Sequence, residues 1–184
     1  MIRACGNGFI GVRNQVIIAL LYRTGMRATE LTSVSLADVN TAQQTILVRY
    51  AKGNKTRTVP FGNATAKLLE KCLVRRGETQ TGRLIVNCYG VPTDTCRIRT
   101  IVVRTALKAG IKATTHLLRH SCAVAMIRNG WDVFSVQKLL GHSTLAMTKR
   151  YSQLADTHVQ DKHRLFSPGD RIACLNQHGR RRLT

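Results

Sequence analysis

The chain has 184 residues, 43% of them hydrophobic, which is enough for one domain with a sizeable core and too short for two of ordinary size. Its longest apolar run, Val16 to Leu21, falls far below the ~20 residues a membrane-spanning helix needs, and the N-terminus lacks the apolar segment of a secretory signal, so a cytoplasmic protein is expected. Twenty-nine lysines and arginines against nine acids give a net charge of +20.

That excess is spread along the chain, through Arg49, Lys52, Lys55, Arg57, Arg75, Arg76, Arg97, Arg99, Arg104 and Lys108. A domain so charged repels itself unless a polyanion offsets it, and no basic amphipathic helix points to a membrane surface, so the expected partner is nucleic acid. The six cysteines include no C-x-x-C pair, which argues against a zinc ribbon and for free thiols in a reducing compartment.

In chain order, apolar residues at helical spacing predict a helix over 9–23, broken by Thr24-Gly25, and a short second helix over about 27–33. Residues 45–50 and 56–60 read as strands flanking the polar turn Ala51-Lys52-Gly53-Asn54-Lys55, a hairpin. Helices are expected over 63–76 and 93–109, with an ambiguous apolar piece at 84–86 between them. Thr114 or Thr115 can cap a helix reaching Asn129, and Asp132 to Leu140 is a further helix ended by Gly141. Ser143 or Thr144 can cap another through Tyr151, and a last helix covers 158–165 before a basic tail. The expected fold is α+β, mainly helical, with a small antiparallel sheet near the N-terminal third.

Four pieces of this chain carry potential chemistry. In His116-Leu117-Leu118-Arg119-His120, helical spacing places His116, Arg119 and His120 on one face and Leu118 and Cys122 roughly opposite. A zinc site here is weak, because the acid of H-E-x-x-H is missing. In Thr24-Gly25-Met26-Arg27-Ala28-Thr29-Glu30-Leu31, Arg27 stands at a helix start, where a guanidinium and backbone donors together suit an anion. Glu30 can orient Arg27 from behind, or simply serve as an acid in the first helical turn. Lys52 and Lys55 sit in and beside the hairpin turn. Leu140-Gly141-His142-Ser143 is followed by Tyr151, nine residues beyond His142.

Taken together and in order, Arg27, Lys52, His116-x-x-Arg119, Gly141-His142 and Tyr151 resemble the tyrosine recombinase (phage integrase) family, over about residues 9–166. The resemblance implies DNA cleavage and rejoining by transesterification. Tyr151 would be the nucleophile, forming a 3′-phosphotyrosine, and Arg27 and Arg119 would hold the non-bridging oxygens. Lys52 would protonate the departing 5′-oxygen, His116 would act as general base or proton relay, and His142 would donate a hydrogen bond to the phosphate. Lys55 and Arg57 would contact DNA. No metal and no cofactor are implied, since fixed arginines supply the positive charge that metal ions supply in other nucleases. The partner would be double-stranded DNA, with a homotetramer on DNA for a full-length recombinase and a monomer for an isolated domain.

In this reading residues 1–166 are the catalytic domain and 167–184 a flexible basic tail. The family's N-terminal core-binding domain is expected to be absent, because only 26 residues precede Arg27. Nine residues are about two and a half helical turns, so His142 and Tyr151 would oppose each other on one straight helix. A bend between them, or delivery of Tyr151 from a neighbouring subunit, would be required. Two alternatives compete: a type IB topoisomerase sharing this chemistry, and a non-catalytic DNA-binding regulator. The short spacing and the Leu-Leu-Gly-His-Ser phrase favour the recombinase over the first. Retention of Arg27, Lys52, Arg119 and Tyr151 argues against the second. A metal-dependent transposase is disfavoured, since the nine acids form no persuasive triad.

Overall fold

A computed structural model describes residues 1–49 and 56–141. After a 3-10 turn at Ile2–Cys5 come α1 (Phe9–Arg23), α2 (Ala28–Ser33), a second 3-10 turn (Leu36–Asp38), and strands β1 (Val39–Asn40), β2 (Thr45–Val48) and β3 (Arg57–Pro60). Helices α3 (Asn63–Arg76), α4 (Thr95–Lys108), α5 (Thr115–Arg128) and α6 (Val133–Leu140) complete the described chain. The domain is mainly helical with one small antiparallel sheet of order β1-β2-β3, the architecture expected from the sequence.

Helix α1 is the axis of the core. Val12, Val16, Ile17, Leu20 and Leu21 are fully buried, and α2, α3, α4 and α5 all pack against it. A helix enclosed on so many sides needs apolar residues around most of its circumference, which is why its pattern is continuous rather than a single stripe. Ile46, Val48 and Val59 send the inner face of the sheet into the same core, in the register Ile46↔Val59 and Val48↔Arg57. Ala123 and Ile127 of α5 join Val136 and Leu140 of α6 in a second, smaller cluster.

The helix boundaries agree with the sequence to within two residues. Asp94, Thr114 and Asp132 cap α4, α5 and α6, each accepting a backbone N–H of the first turn. The apolar piece at 84–86 forms no helix: Leu84 donates to the Val34 carbonyl, and Val86 pairs with Pro92 in an isolated bridge. Strand β1 went unforeseen, as two residues carry no alternation to read. The helices expected over 143–151 and 158–165, and the turn between the two predicted strands, lie outside the described residues. Among the described residues no helix is long and apolar enough to cross a membrane, and the five described cysteines are free thiols.

Candidate active site

The site begins at the break between α1 and α2. The Thr24 hydroxyl donates to the Leu20 carbonyl at 2.6 Å, and Gly25 then turns the chain with φ of 64°. Only glycine suits this position. A Cβ here would sit 2.3 Å from Cδ2 of Leu140, in a backbone region L-residues avoid. The turn sends Met26 into the core and leaves Arg27 immediately before α2, its side chain 27% exposed.

Glu30, in the first turn of α2, is buried at 2% exposure. Its carboxylate accepts the Arg27 backbone N–H at 2.7 Å and Arg27 Nη1 at 2.8 Å. The two readings offered for Glu30, orienting Arg27 and satisfying the helix start, therefore hold together. A second arginine reaches the same carboxylate. Arg57, the first residue of β3, donates Nη1 to Oε1 at 2.9 Å and Nη2 to Oε2 at 2.7 Å, while its Nε donates to the Leu139 carbonyl at 3.0 Å. The sequence reading gave Arg57 a DNA contact. In the structure its guanidinium turns inward, because β3 starts beside both Glu30 and the end of α6, and a buried carboxylate binds a planar guanidinium through two parallel bonds.

Arg119 comes from α5 and is 7% exposed. It donates Nη1 to the Gly25 carbonyl and Nη2 to the Leu140 carbonyl, the latter at 2.6 Å. Arg27 Nη2 approaches the Gly141 carbonyl at 3.4 Å. The carbonyls of Leu139, Leu140 and Gly141 thus face three different arginines. These belong to the turn where a helix leaves its carbonyls without intrahelical partners and carries the negative end of its dipole. Gly141, left-handed at φ of 66°, closes that turn.

Burial by itself would raise the Glu30 carboxyl, but hydrogen bonds from Arg57 and Arg27 outweigh it and hold the group at about 2. Burial first, then the nearby Arg27 charge, pull Arg119 down to about 10 against the opposing pull of Glu30. Burial pushes the Cys122 thiol up to about 11, which keeps it an unreactive thiol at neutral pH. Three guanidiniums around one carboxylate leave an excess of two positive charges.

Arg27, Ala28, Thr29, Arg99, Thr115, His116 and Arg119 line one small cleft, and none of these is an acid. The structure therefore brings together Arg27, His116 and Arg119 of the expected set. The α5 face predicted to gather two histidines and an arginine divides: Arg119 is buried beside Leu118 and Cys122, while His120 lines a separate hollow with Tyr22 and Val124. Helical spacing fixes directions around α5 but says nothing of which neighbour each direction meets. Arg99, delivered by α4, was legible only as one basic residue among many. Lys52, Lys55, His142 and Tyr151 lie outside the described residues.

The family model described as the phage integrase family matches residues 1–158. Over 170 residues the chain is 36% identical to tyrosine recombinase XerC of Listeria monocytogenes serotype 4a (strain HCC23), covering 88% of this chain and 56% of that protein. It is 35% identical over 165 residues to tyrosine recombinase XerD of Staphylococcus haemolyticus (strain JCSC1435), covering 86% and 56%. Among solved structures, the XerA recombinase superposes with a TM-score of 0.73 at 34% identity, over 85% of this chain and 59% of that one. XerH site-specific recombinase bound to its difH substrate shares the fold at TM-score 0.73 and 24% identity, over 88% of this chain and 50% of that one. The chain spans little more than half the length of these relatives.

Proposed function

The chain belongs to the phage integrase family, the tyrosine recombinases, and from that membership we propose that it cleaves and rejoins DNA strands through a 3′-phosphotyrosine at Tyr151. The observation that carries the reading is the cleft where Arg27, Arg119 and His116 meet, with Glu30 and the end of α6 fixing the arginines from behind.

Transesterification at a phosphodiester concentrates negative charge on the non-bridging oxygens as the fifth bond forms. Arg27 and Arg119 offer fixed donors to that charge, and the two-charge excess of the cluster favours an anion before any bond is made. The Tyr151 oxygen attacks phosphorus and loses its proton, with His116 as acceptor or relay. The bond to the 5′-oxygen breaks, and Lys52 protonates that oxygen. His142 donates a hydrogen bond to the phosphate, and Lys55 contacts the DNA backbone nearby. Reversal by another strand's 5′-hydroxyl rejoins the DNA, so the phosphotyrosine conserves the bond energy and no nucleotide cofactor or metal is required. Residues 1–166 form the catalytic unit and 167–184 a basic tail; within a full-length recombinase the unit works in a homotetramer on double-stranded DNA, and alone it is a monomer.

The test is a nicked suicide substrate incubated with the protein in excess chelator, followed by denaturing electrophoresis. A protein–DNA adduct is expected from the wild type and none from Tyr151→Phe, with DNA binding retained. No wild-type adduct under conditions where DNA is bound would favour a DNA-binding regulator, and an adduct surviving in Tyr151→Phe would move the nucleophile to Tyr22, Tyr50 or Tyr89.

A further inference from the structure

Arg57 has no part in the chemistry just described, yet it makes one of the most constrained sets of contacts in the domain. Its three nitrogens engage both Glu30 oxygens and the Leu139 carbonyl, at 2.7 to 3.0 Å, with its side chain 12% exposed. We propose that Arg57 is a positioning residue of this active site, clamping Glu30 to the C-terminal turn of α6 so that Arg27 and Arg119 are held ready for the phosphate. The inference rests on the function proposed above and assigns a role to a residue that reaction leaves unused.

Each Glu30 oxygen serves both arginines. Oε1 accepts Arg27 Nη1 and Arg57 Nη1, and Oε2 accepts the Arg27 backbone N–H and Arg57 Nη2. With Arg57 in place the carboxylate cannot rotate without breaking two parallel bonds, and the plane of Arg27 is set against a fixed partner. At its other edge Arg57 holds Leu139, the residue before Leu140, whose carbonyl holds Arg119. The Gly141 backbone lies directly against the guanidinium, since a Cβ there would be 3.5 Å from Nη1 and 3.6 Å from Cδ of Arg57. One planar side chain therefore joins the supports of both phosphate-facing arginines. Lysine cannot replace it, because a single ammonium cannot span a carboxylate and a carbonyl in this geometry.

The experiment compares wild type and Arg57→Lys in DNA affinity and in single-turnover cleavage at saturating suicide substrate. Misplacing the reacting groups by about 1 Å costs on the order of 100-fold in rate, so Arg57→Lys should lose about 10- to 100-fold in cleavage with affinity unchanged within about twofold. If Arg57 were a direct DNA contact, affinity would fall, an uncharged replacement would cut the salt slope by about 0.9, and cleavage at saturation would stay at the wild-type rate. That pattern overturns the proposal. Should Arg57→Lys fold poorly, the paired variant Glu30→Gln/Arg57→Gln, which removes both buried charges together, is compared with Glu30→Gln alone. Its cleavage loss should equal that of the single variant, and losses that multiply would show that Arg57 does not act through Glu30. A wild type forming no adduct would remove the parent reading, whereas an active wild type with an equally active Arg57→Lys removes this inference alone.

Discussion

Arg57 and Glu30, 27 residues apart in sequence, form a two-pronged ion pair with Nη1–Oε1 at 2.9 Å and Nη2–Oε2 at 2.7 Å. Both are largely buried, and the same carboxylate serves Arg27. Taking charges out of water is costly, and a hydrophobic trio of the same volume would stabilise a core as well or better. The arrangement makes sense as a means of fixing cationic groups for a ligand that brings the balancing charge.

Glu30 is held at about 2 against an ordinary 4.5, so the folded state binds its proton less readily than the unfolded state. Its contribution is fully present above about pH 4.5 and lost as the pH falls through 2, and the shift corresponds to roughly 3 kcal/mol. Urea midpoints followed from pH 7 to pH 2 should therefore fall more steeply for the wild type than for Glu30→Gln, which should start lower at neutral pH. Parallel curves across that window would show that the carboxylate is not held down by Arg57 and Arg27.

Gly25→Ala should be costly for two separable reasons. The position needs φ of 64°, and the added methyl would meet Leu140 at 2.3 Å. Backbone strain of about 1 kcal/mol and overpacking of about 1–3 kcal/mol give an expected loss of about 2–4 kcal/mol in urea unfolding. Gly110, with φ of 70° and nothing within 4 Å of a built Cβ, supplies the comparison. Gly110→Ala should show the strain alone. Equal losses at the two sites would mean that Leu140 yields freely to the methyl. Cleavage by Gly25→Ala should also suffer, because Arg119 is held by the Gly25 carbonyl.

For the general acid, the choice between Lys52 and Lys55 is open to chemical rescue. Sulfur in place of the bridging 5′-oxygen leaves without needing a proton. A substrate carrying it should restore cleavage to Lys52→Ala and do nothing for Arg119→Ala, whose missing donors are proposed to serve the non-bridging oxygens. Rescue of Lys55→Ala, with Lys52→Ala indifferent to the sulfur, would exchange the two lysines' roles.

Much of this protein was legible residue by residue. The break at Thr24-Gly25, the stop at Gly141, the capping residue Thr114 and the apolar spacing of each helix act within a turn or two of chain, so they declare the helices from sequence alone. The ordered phrases around Arg27, Arg119 and Gly141 likewise mark a family because each is local. What only the tertiary structure decided is how those pieces meet. Arg57 finds Leu139 across 82 residues, Arg119 finds Gly25 across 94, and Arg27 finds Gly141 across 114. No periodicity encodes such distances. A helical repeat says which way Arg119 points around α5, but whether that direction holds solvent or the carbonyls of another helix depends on how α6 packs against α5 and β3. The sequence therefore marks Arg27 and Arg119 by their local phrases, while packing alone turns the guanidinium of Arg57 inward, onto Glu30 and the Leu139 carbonyl.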